Sequence, residues 1–270
     1  MRSPIRKVVV IVALIGILAG IAAFGVWAWT SVQSGKSREA LFAEVQPVKL
    51  GNCQFERLGD ANDGGYLACA NLLGPEQSAY SYGINGNDAW GCQVAGRLNI
   101  PVHQYDCFNT DRPACSGGTL VFHEECVGPS RQTEEGRIFD TVRGQIASNG
   151  DTGKRLIMKM DVEGAEWPSL LSASDEDLKQ ISQLTVEFHD VHEARFVETI
   201  RRLKRVFHIA NVHYNNWVCD PAAAPFPSLA FEVLFVNKDL GVVDPAGQAV
   251  APNPLDARNN PKLPDCQGGR

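Results

Sequence analysis

The stretch that decides the fold is "RLIMKMDVEGAEW", residues 155–167. An apolar run ends at Met160, and the acids Asp161, Glu163 and Glu166 follow at once. A helix start would account for them, because Asp and Glu suit the positive end of the helix dipole. An active site at the carboxyl edge of a parallel sheet would also account for them, because ligands of open α/β folds bind there. The choice between the two explanations depends on patterns elsewhere in the sequence.

Segments with strand character recur along the chain, and most are separated by segments of helical period. Strands that alternate with helices predict an α/β domain with a seven-stranded, mainly parallel sheet and helices on both faces, that is, a Rossmann-like fold. The predicted strands are residues 79–84, 101–107, 119–124, 155–161, 183–189, 206–213 and 229–237.

The N-terminus carries an uncharged run, Val8–Trp29, of 22 residues. As a helix it would span about 33 Å, enough to cross a bilayer core and longer than the apolar region of a cleaved signal peptide. Arg2, Arg6 and Lys7 precede it, and this charge bias favours a cytoplasmic N-terminus. We therefore predict a single-pass membrane protein, anchored in the lipid bilayer, whose catalytic part is lumenal (Golgi or ER) or extracytoplasmic.

This reading divides the chain into four parts. Residues 1–30 form the transmembrane signal anchor, 31–50 a stem and 51–240 the catalytic domain. Residues 241–270 are rich in Pro, Asn and Gly, and we expect a loose C-terminal tail that is tied down at most by Cys266.

The charge of the chain argues against nucleic acid as a partner. The net charge is −6 and the isoelectric point is near 5.5, whereas nucleic-acid binding needs concentrated Lys and Arg. The one dense basic cluster is interpreted as a solvated helix face rather than a binding patch. It comprises Arg201, Arg202, Lys204 and Arg205.

The chain has eight cysteines, and their spacing matches no zinc-binding pattern. An even number behind a membrane anchor indicates disulfides, with buried free thiols as the alternative. The candidate pairs are Cys107 with Cys115 or Cys126, and Cys219 with Cys266.

A glycine-containing turn, "GINGNDAWG" (83–91), follows the first predicted sheet strand. Gly83 and Gly86 would let the backbone approach a ligand closely, and Asp88 is placed to start a helix. About 20 residues further on, Asp106 ends the second strand, where an acid in a Rossmann-like unit binds ribose hydroxyls. The loop is not G-x-G-x-x-G, so an ordinary turn with a surface acid remains the alternative. Without a Walker lysine, the phosphate-loop reading fails.

Several polar residues should meet at the carboxyl edge of the sheet. Asp161 ends the fourth strand, and Glu187 and His189 end the fifth. His213, Asn215 and Asn216 close the sixth strand on the same side if the strand order is regular. A buried structural acid or a helix cap explains any one of these residues, but their convergence favours a site.

Seven segments carry a resemblance to a known family. They resemble FkbM-type and methyltransferase-like S-adenosylmethionine-dependent methyltransferases, collinearly over roughly Cys53–Asn237. "K-x-D-V-E-G-A-E" is the most specific element and "D-G-G-Y" the second. The segments are "RLGDANDGGYL" (57–67), "SYGINGNDAW" (81–90), "QYDCF" (104–108), "LIMKMDVEGAEW" (156–167), "LTVEFHD" (184–190), "NVHYNNW" (211–217) and "LAFEVLFVN" (229–237).

The resemblance implies the class I methyltransferase fold and O-methylation, often of sugars. It implies that Gly83 and Gly86 shape the turn for S-adenosylmethionine and that Asp106 holds its ribose. It also implies that Asp161 and Glu163 face the methyl-transfer centre. The first loop departs from the family pattern, because "S-Y-G-I-N-G" lacks the acid-x-G-x-G form.

A sugar hydroxyl is weakly acidic, so its methylation requires a base. His189 or Glu187 could serve, with Asp161 orienting it. Alternatively, a divalent cation (Mg or Mn) could acidify the hydroxyl through oxygen ligands at the ends of the fourth and fifth strands.

Two other classes of function stay open. The anchor equally fits a membrane-anchored glycosyltransferase, although we find no D-x-D placed to hold a nucleotide-sugar metal. A non-catalytic lumenal or extracellular binding domain would explain the anchor and the cysteines, but not the acids at the strand ends.

Overall fold

The computed structural model describes residues 34–267. The helices are α1 (residues 34–44), α2 (Ala89–Leu98), α3 (Val142–Ser148), α4 (Glu166–Ser172), α5 (Asp175–Lys179) and α6 (Arg195–Val206). The strands are β1 (Phe55–Gly59), β2 (Gly65–Cys69), β3 (Ser78–Tyr82), β4 (Pro101–Tyr105), β5 (Thr119–His123), β6 (Cys126–Val127), β7 (Gln132–Glu134), β8 (Arg137–Asp140), β9 (Leu156–Met160), β10 (Ile181–His189), β11 (Phe207–Tyr214) and β12 (Ala230–Asn237).

The anchor predicted for residues 1–30 lies outside the described residues. Within residues 34–267, no helix combines the length and the apolar character needed to cross a bilayer.

The central sheet has seven strands in the order β11-β12-β10-β9-β3-β4-β5, and β12 alone runs antiparallel to its neighbours. All seven predicted strands lie in this sheet, so the α/β prediction is confirmed. The arrangement is compatible with a Rossmann-like fold, because the strand order reverses between β3 and β9. At such a switch point the chain leaves the two strands in opposite directions, which opens a crevice at their carboxyl ends.

The two faces of the sheet differ in their cover. One face packs its aromatic and aliphatic residues against α1, α3, α4, α5 and α6 in the larger core. The other face packs against α2 and against the β1–β2 hairpin, which was not predicted from the sequence. Helices cover both faces as expected, but the hairpin takes part of the second face.

The predicted stem belongs, from residue 34 onward, to the folded domain. Leu41 and Val45 are fully buried in the larger core. Glu44 lies 2.7 Å from both Arg201 and Lys204 of α6, and these contacts lower the pKa of its carboxyl group. The basic cluster on α6 is therefore partly paired with α1 and is not simply a solvated face.

The C-terminal tail also packs on the domain, and the expectation of a loose segment is wrong for the described residues. Asn259 and Asn260 are buried. Asn216 on the loop after β11 donates to the carbonyl of Asn260 at 2.9 Å and accepts from its backbone N–H at 2.8 Å. These bonds hold the tail against the carboxyl end of β11.

All eight cysteines form disulfides, so the alternative of buried free thiols is wrong. The predicted Cys219–Cys266 pair is confirmed, and Cys107 pairs with Cys126 rather than with Cys115. The other pairs are Cys53–Cys69 and Cys92–Cys115. Four disulfides are typical of an oxidising, extracytoplasmic compartment.

Candidate active site

The ends of β3 and β9 approach each other so closely that the position between them must be glycine. Gly83 has φ +70°, and a Cβ on it would lie 1.6 Å from the carbonyl oxygen of Asp161. Gly86 has φ +74°, and a Cβ there would lie 3.0 Å from Nδ2 of Asn109. The positive φ favours glycine at both positions, and at Gly83 the backbone of Asp161 also leaves no room for a side chain. Their role toward a cofactor stays a prediction.

A cavity of about 800 Å³ opens at this edge of the sheet. Its size is that of a small-molecule site. The loops after β3, β4 and β9 form its wall, as expected for a switch-point crevice. Among the residues that line it are Gly83, Asn85, Asp106, Phe108, Asp161 and Glu163.

Asp106 lies in the cavity wall and joins two of these loops. Its Oδ2 accepts the N–H of Asn85 at 2.8 Å, and its Oδ1 accepts the N–H groups of Phe108 and Asn109, both at 2.9 Å. The carboxylate thus holds the glycine turn against the loop after β4. Its predicted contact with a ribose stays untested.

One residue of the cavity wall carries a buried hydroxyl that has no partner within residues 34–267. Tyr82 lines the cavity, is fully buried, and its Oη makes no hydrogen bond within residues 34–267. Burial raises the pKa of this phenol far above its ordinary value, so the hydroxyl keeps its proton. Because Tyr82 is fully buried, a ligand in the cavity would reach this hydroxyl only if the side chains that cover it moved.

Asp161 lies beside the cavity and is held on one oxygen only. Its Oδ2 accepts the hydroxyl proton of Tyr66 at 3.0 Å and lies 3.5 Å from Nζ of Lys159. Lys159 in turn donates to the carbonyl oxygens of Tyr82 and Gly83. The other oxygen, Oδ1, faces His189 at 3.9 Å.

His189 gathers the acids of both strand ends. Its Nδ1 lies 3.0 Å from Oε1 of Glu166, which is fully buried. Its Nε2 faces Oε2 of Glu163 at 3.4 Å and Oε1 of Glu187 at 3.9 Å. The structure therefore brings the four predicted catalytic residues, Asp161 included, into one cluster around the imidazole.

The charges of this cluster shift two pKa values upward. Burial lowers the pKa of His189, but the hydrogen bond to Glu166 and the charges of Glu166, Glu187 and Asp161 raise it to about 9. Burial, followed by the charges of Asp161 and Glu232, raises the pKa of Glu187 well above its ordinary range. His189 therefore holds a proton near neutral pH and must give it up before it can act as a base.

The other predicted rim residues go to different places. Asn215 donates to Oε1 of Glu187 and so supports the cluster. His213 instead contacts Oε2 of Glu232, one strand away from the cluster, at 3.3 Å. Burial lowers the pKa of His213, but Glu232 outweighs it and the net shift is upward. His103 is a buried residue in the middle of β4.

Three residues around the cluster were not predicted: Glu166, Tyr66 and Lys159. Glu166 lay in the opening stretch, where a helix start alone could explain it. Tyr66 follows the "D-G-G" turn of the β1–β2 hairpin, where Gly64 has φ +80° and a Cβ on Gly65 would lie 1.9 Å from the carbonyl oxygen of Asp60. The motif "D-G-G-Y" marked this turn in the sequence. The hairpin that the turn closes places Tyr66 against Asp161.

The sequence "D-E-D", Asp175–Asp177, has the D-x-D form but serves another purpose. Asp177 forms a capping box with Ser174 at the start of α5 and pairs with Arg143. It lies away from the cavity lining and caps a helix.

Comparison with known proteins adds no relative. No protein-family model matches this sequence, and no curated protein matches it.

Proposed function

We propose that this chain is an S-adenosylmethionine-dependent O-methyltransferase that acts on a carbohydrate or glycan hydroxyl. The observation that carries the proposal is the position of the cavity. It lies between the glycine turn at Gly83 and Gly86 and the acids Asp161 and Glu163. This is where the resemblance to FkbM-type methyltransferases requires the cofactor and the reacting centre to meet.

The residues of the cavity fit the proposed cofactor in two respects. The turn at Gly83 brings backbone close to the cavity, and Asp106 offers a carboxylate at its wall. A nucleoside with an amino-acid tail carries polar groups for both. The volume of about 800 Å³ lies within the range of cofactor sites.

S-adenosylmethionine, when bound, supplies an electrophilic methyl group on a sulfonium. The protein then has to align the acceptor hydroxyl and remove its proton. Asp161 is fixed through Tyr66 and Lys159, so its free oxygen can orient a group beside it. Oε1 of Glu187 and Nε2 of His189 lie 3.9 Å apart, and these two side chains are the candidates for accepting the proton of the acceptor hydroxyl.

An exposed aromatic residue supports a sugar as the acceptor. Trp217 is 56% exposed and follows Asn215, which binds Glu187, by two residues. It therefore stands near the carboxyl edge of the sheet. An indole face in this position could stack on the apolar face of a sugar ring, since aromatic rings provide large contact surfaces while remaining partly wet.

The localisation is part of the proposal. We propose a single-pass membrane protein with a cytoplasmic N-terminus and a lumenal or extracytoplasmic domain. The four disulfides support the oxidising compartment. The anchor itself rests on the sequence of residues 8–29.

Calorimetry of the full chain in detergent, with S-adenosylmethionine and S-adenosylhomocysteine, tests the function. We expect both to bind at one site per chain. Absence of binding to either, in a folded and oxidised preparation, would contradict the proposal and favour a non-catalytic binding domain. Turnover of a nucleotide sugar in the same preparation would favour a glycosyltransferase instead.

A further inference from the structure

Three ligand-type atoms converge beside the cavity. They are Oδ1 of Asp161, an oxygen of Glu163 and Nε2 of His189, and they lie within 4.8 Å of one another. With metal–ligand bonds of about 2.0–2.2 Å, two ligands of one ion lie roughly 3–4 Å apart. The distances of 3.4 and 3.9 Å from Nε2 to the two carboxylates fall in this range. Glu163 is 86% exposed and can adjust its position.

The histidine is oriented as metal-binding histidines are. Nδ1 is engaged by the buried carboxylate of Glu166, which is itself fixed by the N–H groups of Val162 and Gly164, each at 2.8 Å. A carboxylate on one ring nitrogen sets the ring orientation and leaves the other nitrogen to the metal. Within residues 34–267, Nε2 makes no hydrogen bond and faces only carboxylate oxygens.

The charges around this point are unbalanced. Four carboxylates surround the imidazole, against the single lysine Lys159 and the histidine itself. Lys159 approaches Asp161 from the side of Oδ2, whereas Oδ1 is turned toward His189. Carboxylates that remain close to each other need a counter-charge, and a divalent cation at Nε2 would supply it.

We propose that Asp161, Glu163 and His189 bind one divalent cation at the edge of the cavity, and that Mn²⁺ fits the site best. An imidazole nitrogen suits transition metals, while carboxylates suit Mg²⁺, Ca²⁺ and Mn²⁺. With two carboxylates to one imidazole, the set is rich in oxygen, and Mn²⁺ is the transition metal that oxygen ligands favour. Three protein ligands leave coordination positions open toward the cavity, which is the arrangement of a catalytic rather than a structural metal site.

The cation site goes beyond the proposed methyl transfer and does not depend on it. Should the chain be a methyltransferase, an acceptor hydroxyl that reached the open positions would become more acidic. The competing explanation is a protonated His189 that acts as the sole counter-charge of the acids. The first explanation predicts that the protein binds a divalent cation in the absence of S-adenosylmethionine, and the second predicts that it does not.

Electron paramagnetic resonance of free Mn²⁺ tests the site in the full chain after chelator treatment, without S-adenosylmethionine. We expect one bound Mn²⁺ per chain. Glu163→Gln removes an exposed ligand without disturbing the core, and His189→Gln removes the nitrogen; each should weaken Mn²⁺ binding more than about tenfold. Glu166→Gln should weaken it by about 10- to 100-fold, the range for a group that orients a ligand.

Glu193→Gln is the matched control, because Glu193 is an exposed acid on the same β10–α6 connection and pairs with Arg195. It should leave Mn²⁺ binding unchanged. No Mn²⁺ bound by the wild-type chain, or equal binding by wild type and Glu163→Gln, would overturn the cation site. Binding of S-adenosylmethionine is measured separately, so a failure of the metal site is distinguishable from a failure of the proposed function.

Discussion

The carboxylate of Glu166 reaches across from the start of α4 to the end of β10, where its Oε1 lies 3.0 Å from Nδ1 of His189. The same carboxylate accepts the N–H groups of Val162 and Gly164 and so shapes the turn that precedes its own helix. The acids after β9 therefore belong both to a helix start and to a polar cluster at the sheet edge. The two explanations of the opening stretch are compatible because Glu166 serves both.

Asp161→Asn tests the catalytic reading of the cluster. We expect turnover to fall by about 100-fold or more, because handling of the acceptor proton typically supplies that much. Fold and binding of S-adenosylmethionine should persist, since the amide can still accept from Tyr66. The exposed Asp239, beyond β12 at the opposite edge of the sheet, provides the control Asp239→Asn. Near-normal turnover of both Asp161→Asn and His189→Ala would remove this cluster from catalysis.

Asp106→Ala tests the cofactor side of the cavity. The substitution removes the carboxylate that joins Asn85 to Phe108 and Asn109. We expect the affinity for S-adenosylmethionine to fall by about 1–3 kcal/mol, the scale of unpaired polar groups in a site. Calorimetry measures it. Unchanged binding by a folded variant would take Asp106 out of the cofactor site.

Removal of the Cys219–Cys266 disulfide tests how firmly the tail is held. The bond closes a loop with a sequence separation of 47, and the chain-entropy description assigns it a stabilisation of about 4 kcal/mol. Cys219→Ser with Cys266→Ser should lower the free energy of unfolding by about 2–4 kcal/mol and open residues 253–264 to protease. The corresponding Cys53→Ser, Cys69→Ser variant should leave the tail protected. Equal protease sensitivity of both variants would contradict this.

The buried His103 should make the stability of the folded domain depend on pH. Burial is the main cause that lowers its pKa to about 4, aided by His123 and Lys154 and opposed by Asp151, which lies 3.4 Å from Nε2. Above pH 6.5 neither the folded nor the unfolded state protonates this imidazole. Between pH 6.5 and 4 only the unfolded state takes up the proton, so this contribution to stability is lost as the pH falls through that window.

Denaturant unfolding at several pH values measures the effect. His103→Gln should flatten the fall between pH 6.5 and 4 by less than about 1.4 kcal/mol per pH unit, the limit for one proton. The exposed His192 gives the control His192→Gln, which should keep the wild-type slope. Parallel curves for wild type and His103→Gln would show that His103 is not responsible.

The orientation in the membrane is tested with intact vesicles. Arg2, Arg6 and Lys7 precede the uncharged run, so we expect added protease to spare the domain after residue 40. Detergent should then allow digestion. Digestion without detergent would reverse the proposed orientation.

The sequence was sufficient to predict the sheet and the meeting of its strand ends. Strands buried on both faces are nearly continuous apolar runs, and such runs are visible without any tertiary information. The parallel arrangement then follows from the helices between them, and it places Asp161 and His189 at one edge. Gly83 was also recognisable, since a turn that tight admits no side chain.

Only the tertiary structure decided which partners these residues have. Tyr66 reaches Asp161 through a hairpin 95 positions away, and Asn259 of the tail binds Asp63 and Glu232. The pairing of Cys107 with Cys126 was likewise left open by spacing. Local patterns report which face of an element is buried, but not which distant segment covers it, because that choice depends on packing between elements that no local preference encodes.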